Sequence, residues 1–120
     1  MTEEISDNGP ILFTGGNHME LIARQGDVLV FRLDAIPETV EPAPNGTIRE
    51  GESTGHHHSV AVADVEHYIS TADAAEHYLR VVRTTTLAHQ EHGAVTLEPG
   101  LYMARPKRTY TPEAIRYVVD

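Results

Sequence analysis

Turn signals punctuate this chain so often that no long element fits between them. Short apolar or alternating runs are interrupted by Gly, Pro, Asn-Gly or Pro-Gly about every eight to twelve residues. No stretch keeps a 3.6-residue apolar period for the length of a helix. Such a chain folds as short strands. The spacing predicts strands over 19–23, 28–33, 47–51, 56–63, 84–89, 94–97 and 101–105, and a hairpin pairing 65–70 with 78–83. Gln25-Gly26-Asp27 reads as a turn, and Pro37, Pro42, Pro44 and Asn45-Gly46 make 36–47 an irregular loop crossing one end of a sheet. Thr111-Pro112 suits the start of one helical turn over 111–116, and 117–119 an edge strand. The expected fold is all-β: a small single-domain barrel or sandwich of short antiparallel strands. Residues 19–120 form the domain. Residues 1–18, polar and acidic up to Gly9-Pro10, form a flexible N-terminal arm in which 11–13 can pair as an edge strand.

Composition narrows the chemistry. The 120 residues suit one core of ordinary size, and there is no Cys. That removes disulfides, thiolate metal sites and thiol nucleophiles. No apolar run reaches the roughly 18 residues of a membrane span, and Met1-Thr2-Glu3-Glu4 is unlike a basic signal-peptide start. A cytoplasmic location is expected, the host cytoplasm if the chain is phage-encoded. The net charge is -9, which disfavours extended duplex DNA as a partner. Arg105, Lys107, Arg108 and Arg116 nevertheless concentrate positive charge near the C-terminus. That suits a small anionic ligand or an RNA substrate. A charged edge strand has the same composition.

Seven of the eight histidines fall between 56 and 92. His56-His57-His58 opens an alternating run, so His56, His58, Val60 and Val62 share one strand face and His57 the other. His89-Gln90-Glu91-His92-Gly93 follows about thirty residues on, and a bend at Gln90-Glu91 would turn His89 and His92 to one side. If the clusters meet, His56, His58, His89 and His92 can hold a divalent transition metal such as Zn, Mn, Fe, Ni or Cu. Glu52 or Glu91 would serve as carboxylate ligand or general base. The same residues also allow a metal-free reading. His56 and His89 would share acid–base work while Arg105, Lys107, Arg108, Tyr102 and Tyr110 hold a phosphate. Either way His56 and His89 must lie within about 10 Å, because a metal–nitrogen bond is only about 2 Å. His18, His67 and His77 stand singly, and surface or edge positions are expected for them.

Several motifs carry a resemblance. They are Gln25-Gly26-Asp27-Val28-Leu29, Gly51-Glu52-x-Thr54-Gly55-His56-x-His58, His89-x-Glu91-His92-Gly93, Leu97-x-Pro99-Gly100-x-Tyr102 and Arg108-x-Tyr110-Thr111-Pro112-Glu113, closing with Arg116-x-Val118-x-Asp120. In order and spacing they resemble a small family of uncharacterised bacterial and phage proteins, over roughly residues 25–120. The resemblance favours His56, His58, His89 and His92 over His57 as site residues and implies no activity. His56-x-His58 and Glu98-Pro99-Gly100 also resemble fragments of the cupin pattern. The Glu that cupins place after the His pair is absent, so only an architecture type follows.

Two functions fit these expectations. One is a small His-cluster enzyme, a metal-dependent hydrolase or phosphodiesterase or a His-dependent ribonuclease acting on a phosphate-containing substrate. The other is a non-catalytic phage or bacterial structural or interaction module. It would be a homo-oligomer, with the histidines as metal or pH-sensitive contacts and the leader as an assembly arm.

Overall fold

The turn at Gly26-Asp27 sets the frame of the molecule. Gly26 takes φ +58°, a left-handed conformation that costs glycine nothing. It joins two strands that a computed structural model pairs antiparallel. The structure describes residues 11–14, 17–50, 55–110 and 115–117.

In chain order the strands are β1 (Ile11–Thr14), β2 (Asn17–Gln25), β3 (Val28–Leu33), β4 (Val40–Pro42), β5 (Thr47–Glu50), β6 (His57–Ser59), β7 (Val65–Ser70), β8 (His77–Val81), β9 (Thr85–Leu87), β10 (Val95–Leu97), β11 (Gly100–Pro106), β12 (Arg108–Tyr110) and β13 (Ile115–Tyr117). Seven form one antiparallel sheet, ordered β1-β2-β3-β11-β8-β7-β4. Its middle strands are buried on both faces, which explains why their sequences are nearly continuous apolar runs. Beyond Leu21, β2 carries a bulge that turns Ile22 outward, 42 % exposed.

The second layer lies over one face of this sheet. β5 pairs with β6, and β9 with β10. Reciprocal backbone bonds between Ser59 and Ala88 (3.0 and 2.8 Å) link the two pairs. From the large sheet Val28, Val30, Leu79, Val81, Tyr102 and Ala104 meet Ile48, Val60, Leu87 and Leu97 of this layer. The opposite face gathers Met19, Leu29, Phe31, Leu33, Tyr78 and Met103, with Ile36 and Val40 of the proline-rich segment packed on them. Each large apolar side chain buried this way contributes roughly 1.5–3 kcal/mol. The result is an open two-layer arrangement: the sheets are not closed, so the barrel and the cupin-like alternative give way to the sandwich-like one. Among the described residues no helix is long and apolar enough to cross a membrane.

Three local expectations need correction. The segment 36–47 is not wholly irregular, because Val40–Pro42 forms β4 at the sheet edge. An edge tolerates Pro42, whose missing N–H leaves no partner unpaired. The His-rich strand is only three residues long. Val60 is drawn aside by its N–H bond to Gly46 O, and Val62–Asp64 makes a 3-10 turn. Asp64 O accepts from Val82 N, and Asp64 Oδ2 from the Thr85 hydroxyl, so the chain must turn to bring Asp64 there. Val62 consequently leaves the apolar stripe and is 61 % exposed. At Gly46 a side chain would fall on Val60 O, so only glycine allows this crossing. Finally, the helical turn expected over 111–116 lies mostly outside the described residues, and the two that are described, Ile115 and Arg116, belong to β13.

Candidate functional site

Gln25, the last residue of β2, is a buried polar side chain at the point where three segments meet. Its Nε2 donates to Leu87 O and to Gly93 O, both at 2.9 Å, and so brackets the loop that holds His89 and His92. With the amide nitrogen committed to two carbonyls, Oε1 must be the acceptor. It receives His58 Nδ1–H at 2.8 Å. This fixes the His58 tautomer and turns Nε2 toward Asp27 Oδ1, 3.6 Å away. His58 itself is 0 % exposed.

Asp27 is pinned from two sides. Its Oδ2 accepts from Arg49 Nε at 2.7 Å, and its carbonyl accepts the Lys107 N–H at 2.7 Å. The other carboxylate oxygen, Oδ1, is buried with no hydrogen bond among the described residues.

The expected meeting of the two histidine clusters takes place. His58 and His89 ring centroids are 4.4 Å apart, His89 and His92 4.5 Å, His58 and His92 6.1 Å. His56 and His89 lie 5.7 Å apart, inside the limit set above. The bend expected at Gln90-Glu91 is also present. His89 stabilises it, because its Nδ1 accepts the N–H groups of Glu91 (3.0 Å) and His92 (3.2 Å). A ring that accepts at Nδ1 carries its proton on Nε2 when neutral. His92 rests directly on Gly26, where a Cβ would come within 2.6 Å of its Nε2. Gly26 thus serves both the turn and the approach of His92. On the outer side, His56 Nδ1 lies 3.6 Å from Glu91 Oε1. His57 presents its N–H to Gln90 Oε1 at 2.8 Å, and its ring takes no part in these ring contacts. The site therefore has a buried wall, Gln25-Asp27-His58, and a solvent-facing lip, His56-His89-Glu91-His92.

The remaining expected site residues scatter. Arg105 points to the opposite face of the sheet, with its guanidinium carbon 4.9 Å from the Phe31 ring centroid. Tyr102 pairs with Arg32, five residues along from Asp27, about 17 Å at strand rise. Its hydroxyl donates to Glu98 O at 2.7 Å. Lys107 is exposed beside Asp27. Arg108 and Tyr110 lie in β12, their side chains outside the described residues, and Glu52 is outside them altogether. Gln25, Asp27 and Arg49 are site residues that the sequence reading passed over. Among the described residues no group of three or more His, Asp or Glu side chains stands as a preformed metal site.

His67 and His77 are neither single nor superficial. Each is 8 % exposed. His67 Nδ1–H faces Asn45 O, and His67 Nε2 and His77 Nδ1 are 2.8 Å apart. Burial holds His67 below the ordinary imidazole range. His77 is pushed down to about 4 by burial and by its neighbour His67.

No curated protein and no solved structure matches the chain. A family model described as a domain of unknown function, DUF8820, matches residues 24–107. That span contains Gln25, Asp27, Arg49 and all four clustered histidines, and the chain belongs to this family.

Proposed function

We propose that the chain is a small hydrolase of phosphate-containing substrates in which His89 and His56 move the protons. The observation that carries this reading is the convergence of His56, His58 and His92 on His89, with centroids 4.4 to 5.7 Å from its ring. The backbone of its own loop fixes the His89 tautomer, so Nε2–H is the proton available to a leaving oxygen. His56 lies beside Glu91, the arrangement of a base oriented by a carboxylate. Water would attack phosphorus as His56 takes its proton. The P–O bond to the leaving group would break as His89 supplies one. Arg49 and Lys107, which flank Asp27, supply the positive charge for the phosphoryl oxygens, in place of Arg105 and Tyr102.

The test uses bis(p-nitrophenyl) phosphate, a 2′,3′-cyclic nucleotide and a short single-stranded RNA. His89→Gln and His56→Gln are each expected to lower kcat/KM at least about a hundredfold, the lower end of what a positioned acid or base contributes. The melting temperature of His56→Gln should stay near that of the parent, and that of His89→Gln, which loses the acceptor of two loop N–H groups, should fall only modestly. Hydrolysis that is undetectable in the parent, or equal in parent and His89→Gln, removes the hydrolase reading in favour of a non-catalytic interaction module.

A further inference from the structure

Asp27 Oδ1 is the feature that proton transfer at the lip leaves unexplained. A buried carboxylate oxygen without a hydrogen bond among the described residues is costly, by about 1–3 kcal/mol or more. It faces His58 Nε2 at 3.6 Å, too far for a hydrogen bond. Two ligand atoms that share one tetrahedral zinc ion, each about 2.0–2.1 Å from it, stand about 3.4 Å apart. The gap between Asp27 and His58 has that width.

The surroundings fit the same reading. His58 Nδ1–H is held by Gln25, so Nε2 is the atom presented, and Gln25 is in turn locked to two backbone carbonyls. A histidine ligand is typically oriented by such a hydrogen bond from its other ring nitrogen. His92 lies against Gly26, next to Asp27, because Gly26 has no side chain. Its ring centroid is 6.1 Å from that of His58, so a rotation of the His92 side chain is needed to bring it to the ion. His89 is differently committed, since its Nδ1 accepts two backbone N–H groups and its Nε2 keeps the proton.

We propose that Asp27 and His58, with His92 turning in as third ligand, bind one divalent transition-metal ion, and that His89 and His56 stay outside its coordination shell. The inference deepens the hydrolase reading, because such an ion would lie behind His89 and could polarise a phosphoryl oxygen. It replaces the four-histidine ligand set expected from sequence with two histidines and one aspartate.

The experiment measures metal content and affinity rather than turnover. Untagged protein is stripped with chelator, titrated with Zn²⁺, Mn²⁺ and Ni²⁺, and the dialysed product is analysed for bound metal. One equivalent of at least one ion is expected. Asp27→Asn and His92→Gln should each weaken binding at least about a hundredfold, the upper end of the effect of losing an outer-shell partner. His89→Gln should retain it. Circular dichroism checks that the variants fold, and His92→Gln, on the half-buried lip, covers the case in which Asp27→Asn does not. Substoichiometric metal in the parent, or an equal loss in His89→Gln and His92→Gln, overturns the proposal. Hydrolysis by metal-free protein would also overturn a catalytic ion while leaving the hydrolase reading intact. A bound metal without hydrolysis would keep the site and remove the hydrolase.

Discussion

Gln25→Leu is expected to lower the unfolding free energy by about 4 kcal/mol and to disperse the histidine cluster. The substitution roughly keeps volume, so the loss comes from hydrogen bonds. Leu87 O and Gly93 O lose their donor, and His58 Nδ1–H loses its acceptor. Groups stranded this way cost about 1–3 kcal/mol each, with the lower figure for the partly exposed Gly93 carbonyl. Against a typical domain stability of 5–15 kcal/mol this is a large fraction. Urea unfolding at pH 7.5 measures it. The structural consequence is separable, because Gln25 spans from the end of β2 to residues 62 and 68 positions later. Gln25→Glu keeps an acceptor for His58 but buries a charge and sets a carboxylate oxygen against both carbonyls, so at pH 7.5 its cost should be at least that of Gln25→Leu. A Gln25→Leu cost below about 1 kcal/mol would mean that the loop is held by packing alone and that the His58 tautomer is not set by Gln25.

The reach of that one side chain explains what the sequence could and could not disclose. Strand positions were legible because apolar alternation and turn residues are local signals, and β3, β7 and β11 follow them closely. The misreading at Val60 to Ala63 has a local cause too: small apolar residues alternate equally well in a strand and in an exposed turn. The histidine clusters announced themselves by residue type. Gln25 and Asp27 did not, since a polar residue at a turn is ordinary until the fold buries it beneath a second layer, and Arg49 is an ordinary strand charge until it meets Asp27. The expectation that Arg105 would join the site failed on parity. It shares its face of β11 with Met103, and the histidines meet above the other face, that of Ala104. For His67 and His77 the signal was present and went unused. In a hairpin pairing Ile69 with His77 and His67 with Leu79, the two histidines are diagonal neighbours on one face.

That pair makes the protein acid-sensitive: stability should fall by roughly 3 kcal/mol as pH drops from 6.5 to about 4. In the unfolded chain His77 takes up a proton near pH 6.5, whereas in the folded chain burial and His67 hold it neutral down to about 4. Between those values the unfolded state binds more protons, so unfolding free energy rises with pH through the window and is fully present above it. His67 is shifted in the same direction and adds to the effect. The hydrogen bonds set the same sense. His67 donates to Asn45 O and must accept from His77 Nδ1–H, so a proton on His67 Nε2 would break the 2.8 Å link. Because Asn45 is next to Gly46, whose carbonyl holds Val60, the loosening should reach the hairpin that carries His58. Denaturant unfolding at pH 7.5, 6.0, 5.0 and 4.2 measures the total. The double variant His67→Leu/His77→Leu separates this pair from the carboxylates and the other histidines. The parent should lose about 3 kcal/mol more than the double variant across the window, and matching losses in the two would show that the pair is protonated as readily in the folded chain as in the unfolded one.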